Sequence, residues 1–293
     1  MDHHNFAYIK KNYAKVIPKM FEAAGELYAD YWNDLFHFAI FEDENQSFDE
    51  AFAYTHKKYL AAAGIASAEN VLELACGRGG LTEIIADHTP GQVLGIDISP
   101  AQLRQARKRE RKNLSFKEHD IMHVDQLGTT FDAVIFLDAA CYLPDKAQAI
   151  KKIKSVMKPG AKLLMVDWCK QPGLNFVQEE LILHPFMKYW AIPNLETATS
   201  YEAYFRHQGF NILEITDLND KTRKNWDFSY ENGLNGLKDL SVKDLPGMVW
   251  NSLKAGPDGI RIMKEQFPAM LYIKAGFDIG FLRYVYFLVE MPE

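Results

Sequence analysis

Val71-Leu72-Glu73-Leu74-Ala75-Cys76-Gly77-Arg78-Gly79-Gly80 is a short apolar run that passes straight into a glycine loop. The run is too short for a helix and suits a strand buried on both faces. The glycines of the loop let backbone approach a ligand closely. Ligands of open α/β sheets bind beyond the carboxyl ends of the strands. Glu73 and the loop therefore lie where a ligand is expected. A dinucleotide fingerprint needs Gly-x-Gly-x-x-Gly, and counting from Gly77 the sixth position is Thr82. A P-loop also fails, because no Gly-Lys-Ser/Thr follows.

The same rhythm extends outward. Gln92–Asp97 reads as a second strand, and Asp97 ends it where a carboxylate can accept both hydroxyls of a ribose. Ser99-Pro100 supplies an N-cap and an N1 proline for a helix through Arg111. Leu114–Lys117, Phe131–Leu137 and Ala161–Asp167 read as further strands, with a helix at 145–157 before the last of them. Strands alternating with helices imply a parallel α/β sheet covered on both faces. Beyond Trp168 the spacing predicts helices at 174–190 and 197–208, then strands at 210–217 and 280–290. The stretch 219–276 is too long for a loop and adds helices.

The opening segment has a different character. Residues 1–59 hold 14 of the 38 aromatics. Apolar residues recur there at helical spacing. Pro18 is expected to kink or divide that helix. Ser47-x-x-Glu50 reads as a capping box opening a second helix that Gly64 ends. The expected division is a helical aromatic cap at 1–60, an α/β core at 61–170 with a continuation at 197–218, a lid insertion at 170–196, a helical substrate lid at 219–276, and a last core strand at 277–293. The three additions would meet above the carboxyl edge of the sheet and cover a substrate there.

Composition bounds the alternatives. The chain has 293 residues, of which 48% are hydrophobic and 25% charged, with net charge −6. It can bury a full core without disulfides or metals. The acidic balance argues against a nucleic-acid or anionic-membrane protein. The basic run Arg104, Arg107, Lys108, Arg109, Arg111 and Lys112 reads as a solvated helix face. No apolar run is long enough for a membrane span. No secretory leader is visible at Met1-Asp2-His3-His4-Asn5. Cys76, Cys141 and Cys169 fit neither a disulfide framework nor a Cys-x-x-Cys site, so a reduced, cytoplasmic protein is expected. No His-Glu-x-x-His or similar spacing calls for a metal.

The order of motifs resembles the class I S-adenosyl-L-methionine (SAM) methyltransferases. Val71 to Gly79 resembles their motif I. Gly95-Ile96-Asp97-Ile98-Ser99 resembles motif II. His119-Asp120-Ile121 resembles the adenine-contacting segment, and Phe131-Asp132-Ala133-Val134-Ile135 the fourth strand. Met157-Lys158-Pro159-Gly160-Ala161-Lys162-Leu163 resembles the turn before the fifth. Tyr142-Leu143-Pro144-Asp145, Val166-Asp167-Trp168-Cys169, Gly209-Phe210 and Phe36-His37-Phe38-Ala39-Ile40-Phe41 are similar to the small-molecule branch, which includes tocopherol, sterol, coclaurine, glycine-derivative and cyclopropane-lipid enzymes. Two positions depart from the pattern. Ala75 stands for the first motif glycine and Ala161 for the second glycine of the turn.

The resemblance implies a Rossmann-like sheet, mostly parallel with an antiparallel last strand, plus helical lids. It implies SAM as cofactor, held by Glu73, Ala75, Gly77, Gly79, Asp97, Ile98, Gln102, Asp120, Ile121 and Leu137, with Tyr31 or Tyr28 reaching over from the cap. Asp97 would hold the ribose, and Asp120 and Ile121 would bracket adenine. The acceptor would be a small, largely apolar molecule of natural-product, terpenoid or aromatic type. Asp138, His123 and His184 are the candidates to orient it or take its proton, with His37 and His207 as further histidines of suitable chemistry. Cys76 abuts the loop but has no base to activate it. A homodimer is left open as a partner state. The alternative function is a protein of the same fold that retains SAM as a structural cofactor and catalyses a cyclisation.

Overall fold

The computed structural model describes residues 5–32, 35, 37–239 and 269–293, with side chains at 23–34 and 232–239 set aside. Helices α1 (Phe6–Trp32) and α2 (Phe48–Ala62) precede the sheet. The alternation then runs β1 (Asn70–Leu74), α3 (Gly80–His88), β2 (Gln92–Asp97), α4 (Pro100–Ala106), β3 (Leu114–Glu118), β4 (Phe131–Leu137), α5 (Lys146–Ser155) and β5 (Met157–Lys170). After it come α6 (Phe176–Gln178), α7 (His184–Tyr189), α8 (Ala198–His207), β6 (Asn211–Asp217), α9 (Asn219–Asp239) and β7 (Leu282–Glu290). The seven strands lie in the order β3-β2-β1-β4-β5-β7-β6. The first five are parallel, and β7 runs antiparallel to both neighbours. This is the mostly parallel sheet with an antiparallel last strand that the sequence implied.

Alternate side chains of each strand feed two cores. Val71, Leu164, Val166 and Trp168 face one side and pack with Ile9 and Val16 of α1, Tyr59 of α2, Ile85 of α3 and Phe186 of α7. Leu72, Leu74, Leu163 and Met165 face the other and pack with Ile150 and Ile153 of α5 and with Tyr201 and Phe205 of α8. Burial of each such side chain contributes roughly 1.5–3 kcal/mol. Both faces are covered, which is why these strands read as continuous apolar runs.

Four local expectations are adjusted. The helix dihedrals of α1 break at Asn12 (φ −117°, ψ 19°), not at Pro18, which lies inside the helix. Asn12 Nδ2 donates to Tyr8 O at 3.0 Å, so its side chain competes for a helix carbonyl. Helix α4 stops at Ala106 instead of running to Arg111. Arg109 Nε turns back to donate to Arg78 O at 2.9 Å, and Arg111 pairs with Asp87 and Glu83. The helix expected at 174–190 is broken by a wide turn over Glu179–Leu183, where His184 N–H reaches back to Glu179 O. Pro185 follows, and its missing N–H leaves Leu181 O without the usual donor. Strand β5 is longer than Ala161–Asp167 because its flank stays paired with the chain end: Met291 N donates to Ala161 O at 2.8 Å, and Gly160 N to Met291 O at 3.0 Å. The capping box forms as expected, with Ser47 N donating to Glu50 Oε2 at 2.9 Å.

Candidate active site

The carboxyl ends of β1, β2 and β4 open into one cavity. Its floor is the loop after β1. Ala75 and Gly77 both take left-handed backbone, at φ 54° and 53°, and Gly79 follows at φ 78° as the residue before α3. At Gly79 a Cβ would lie 2.7 Å from the Phe116 ring, so any other residue would force the ring or the loop to shift as well as straining the left-handed backbone. Gly77, Ala75, Glu73 and Cys76 line the cavity, whereas Gly79 acts behind the wall. Burial pushes the Cys76 thiol well above its ordinary range, so it stays a thiol.

Asp97 ties the loop to β2. Its Oδ2 accepts Gly77 N–H at 2.9 Å and its Oδ1 accepts Ser99 N–H at 2.7 Å. Burial raises its pKa to about 6, against the pull of those backbone donors. Glu73 is buried deeper in electrostatic terms. Its pKa is pushed up to about 8 by burial, against a pull from the neighbouring Thr82 hydroxyl, with the Asp97 charge adding to the rise. Glu73 Oε2 and Gln102 Oε1 are buried and have no hydrogen-bond partner among the described residues. Both residues line the cavity with Asp97, Ile98, Ile121 and Leu137. Unpartnered buried acceptors cost about 1–3 kcal/mol each unless a ligand supplies donors. A ligand bearing an ammonium and ribose hydroxyls supplies such donors, so the residues present fit SAM.

Asp120 sits at the far rim. It caps the turn Ile121–Gln126 by accepting Met122 N–H at 2.8 Å, and its other oxygen accepts the Tyr13 hydroxyl of α1. The structure thus brings Glu73, Ala75, Gly77, Asp97, Ile98, Gln102, Asp120, Ile121 and Leu137 around one cavity. Tyr31 and Tyr28 have side chains outside the described residues. From α1 it is Tyr13, Ile17 and Phe21 that reach the cavity.

The three candidate proton acceptors are separated. Asp138 lines the cavity at the end of β4, in left-handed backbone at φ 54°. Its Oδ1 accepts Trp168 Nε1–H at 2.9 Å and its Oδ2 accepts the Tyr284 hydroxyl at 2.8 Å. Strained backbone of this kind persists only where the surroundings over-determine it. His123 and His184 do not line the cavity, contrary to expectation. His123 is half exposed on the outer side of its turn, with Nδ1 3.4 Å from Asp120. His184 spends Nδ1 on Glu180 at 2.8 Å and packs edge-on against Phe6. His37 does line the cavity. Its Nδ1 donates to Leu35 O at 2.9 Å and its Nε2 is 3.0 Å from His56 Nε2. Burial and the second imidazole lower its pKa to about 3, so it is neutral.

The roof is aromatic and comes from all three additions to the sheet. Phe21 and Phe38 come from the opening segment, Trp190 from 170–196 and Trp226 from α9, over Trp168 of β5. Trp168 contacts Phe38, Phe186, Trp190 and Trp226 with ring centroids 5.4–5.9 Å apart. Beneath the wall, Lys146 is buried and donates to Cys141 O, Leu143 O, and both Asn194 O and Oδ1 at 2.8–3.0 Å. It clips the loop after β4 to the 190s segment. Tyr284 carried no sequence signal as a site residue. It alternates correctly on a core strand, and 146 residues separate it from Asp138.

Comparison with known proteins agrees with this geometry. A profile described as a methyltransferase domain matches residues 65–218. The chain is 25% identical over 219 residues to methyltransferase GfsG of Streptomyces halstedii, covering 72% of this chain and 78% of that one. It is 26% identical over 217 residues to cycloartenol-C-24-methyltransferase of Arabidopsis thaliana, covering 71% of this chain but only 64% of the plant enzyme. Among solved structures, the [4+2]-cyclase SpnF superposes with TM-score 0.72 at 19% identity, covering 94% and 95% of the two chains. Cyclopropane synthase MmaA2 of Mycobacterium tuberculosis superposes with TM-score 0.70 at 16% identity, covering 93% and 98%. No described helix is long and apolar enough to cross a membrane. With the profile spanning more than half its length, the chain belongs to the methyltransferase-domain family, and its cofactor is S-adenosyl-L-methionine.

Proposed function

We propose that this protein transfers a methyl group to a small, largely apolar acceptor held between the loop after β1 and the aromatic roof. One observation carries the reading: a single cavity joins the cofactor residues Glu73 and Asp97 to a wall of Phe21, Phe38, Trp168, Trp190 and Trp226. Bound SAM supplies a methyl group already activated on a sulfonium. Glu73 and Gln102 would accept hydrogen bonds from the cofactor's polar end, Asp97 would take the ribose hydroxyls, and Ile98 and Ile121 would enclose the base. The roof would exclude water and align the acceptor, which supplies most of what such a transfer needs. Asp138 is the carboxyl group on the acceptor side among the described residues. The segments 1–60, 170–196 and 219–276 would act together as the lid. The sterol, natural-product and cyclopropane enzymes among the relatives and neighbours support an apolar acceptor.

The test is to incubate purified protein with SAM and a panel of terpenoid, sterol, polyketide and arylalkyl acceptors. Mass spectrometry should show S-adenosylhomocysteine (SAH) and a methylated product rising together. SAM binding followed by conversion of an acceptor without SAH would instead establish a non-methylating cyclase-type reaction. Failure to bind SAM or SAH would end both readings.

A further inference from the structure

We infer that the acceptor carries a basic nitrogen, bound as an ammonium to Asp138 beside the aromatic wall of Phe38, Trp168 and Trp226. This rests on the methyltransferase reading above and names the class of acceptor for it. The argument begins with charge. Four carboxyl groups line the cavity, Glu73, Asp97, Asp120 and Asp138, and among the described residues no lysine or arginine lines it. Three of them are accounted for. Asp97 is tied to two backbone amides and Asp120 to Tyr13 and Met122, while Glu73 faces the cofactor end. Asp138 is the one left on the acceptor side.

Asp138 is held by donors that suit a negative charge, and no lysine or arginine among the described residues lines the cavity to balance it. Trp168 Nε1 is a donor only, and it points at Oδ1. The Tyr284 hydroxyl donates to Oδ2 and is itself approached by Phe38 N–H at 3.5 Å. Both oxygens are thereby fixed as acceptors, each with lone-pair capacity remaining toward the cavity. Asp167, whose charge acts on Asp138, is occupied by Cys141 N–H at 3.0 Å and the Tyr201 hydroxyl at 2.6 Å, and adds repulsion rather than relief. A buried carboxylate without a cation is costly and holds its proton instead. Burial does raise Asp138 well above the carboxylate range.

That state discriminates between acceptor types. A protonated carboxyl cannot remove the proton of a hydroxyl acceptor. A basic amine entering the cavity takes the Asp138 proton: the O–H bond breaks, an N–H bond forms, and the resulting carboxylate keeps its two donors. The aromatic wall keeps water from the resulting ion pair, which strengthens it. For the methyl transfer that proton must go back to Asp138 to free the nitrogen lone pair, a step that the raised proton affinity of Asp138 makes less costly than with an ordinary carboxylate. Asp138 is thus both the anchor for the acceptor and the holder of its proton.

The test uses the full chain loaded with SAH and two matched probe series, phenylethyl- to phenylbutylamine and the corresponding alcohols. Quenching of tryptophan fluorescence reports binding without turnover, since Trp168, Trp190 and Trp226 line the cavity. The expected result is at least ~10-fold tighter binding of the amines at pH 8, on the scale of one charge-assisted hydrogen bond. Asp138→Asn keeps the shape and suits the left-handed backbone, and should bring amine and alcohol within ~3-fold while SAH affinity is unchanged. Equal binding of both series by the wild type overturns the inference. So does an amine preference that survives in Asp138→Asn, or no probe binding in protein that binds SAH. Loss of SAH binding itself would be read separately, as failure of the methyltransferase reading.

Discussion

Replacing Glu73 by Gln should make the free protein more stable and less sensitive to alkali while weakening its hold on the cofactor. The side chain is 5% exposed, and Oε2 lacks a partner among the described residues. Burial shifts its pKa from 4.5 to about 8. Between those values the folded chain holds a proton that the unfolded chain has released, so stability falls as pH rises and levels off above about 8. At pH 7 the gap from the unfolded value is about two and a half units, or roughly 3 kcal/mol at 1.36 kcal/mol per unit. The amide removes that titration but adds a donor that needs a partner, returning about 1–3 kcal/mol. A net gain of roughly 1–2 kcal/mol at pH 7 is therefore expected, shrinking as pH approaches 4.5. Urea unfolding followed by circular dichroism from pH 5.5 to 8.5 reads both curves. Asp167, raised to about 6 by burial, tilts both proteins alike, so the difference between the curves reports Glu73 together with its coupling to Asp97. Parallel curves across the range would show that Glu73 is ionised in the free fold, and the argument from its burial would fail. In the same variant SAH should bind more weakly by about 1.5–3 kcal/mol, the scale of a hydrogen bond to a charged group.

Ala75→Gly should leave stability unchanged or raise it by up to ~1 kcal/mol, because the Cβ cost of left-handed backbone exceeds the entropy returned to the unfolded chain; a loss above ~1 kcal/mol in urea unfolding would mean that the methyl packs usefully. Gly79→Ala should lose at least ~2 kcal/mol, since φ is 78° and the new Cβ would lie 2.7 Å from Phe116; a wild-type midpoint would show that the loop can shift freely. On the acid side, His37 and His56 titrate near 3 and 4 in the fold because burial disfavours their charged forms. The unfolded chain therefore binds protons that the fold does not from about pH 6.5 down to about 4, and stability should fall across that window. His56→Gln should flatten the fall, and an unaltered acid limb would place the titration elsewhere. Tyr284→Phe removes one donor from Asp138 but keeps the ring against Phe38 at 4.6 Å. Amine-probe binding should weaken ~10-fold with SAH affinity unchanged, whereas a drop in SAH affinity would assign Asp138 to the cofactor half of the cavity.

The glycine loop, the ends of β1 and β2, the caps at Ser47 and Ser99 and the alternation of helix and strand were all legible before any coordinates. Each depends on neighbours a few residues apart, through periodicity, capping or the freedom of glycine, and such patterns survive in one dimension. The cofactor side of the cavity was readable for the same reason: Glu73, Gly77 and Asp97 lie on strand ends whose place in a parallel sheet is set by the alternation itself. The acceptor side was not. Asp138 reads as a strand-end carboxylate whether it faces solvent, backbone or substrate. Only the antiparallel insertion of β7 beside β5 brings Tyr284 to it, opposite Trp168 in the sheet register. His123, His184 and His37 were equivalent as letters, and their surroundings in three dimensions separated them. One is half exposed, one is spent on Glu180, and one is neutral in the cavity wall. Local pattern determined where a ligand meets this sheet; the pairing of distant strands decided which donors hold the Asp138 carboxyl group, because hydrogen-bond partners far apart in the chain meet only in three dimensions.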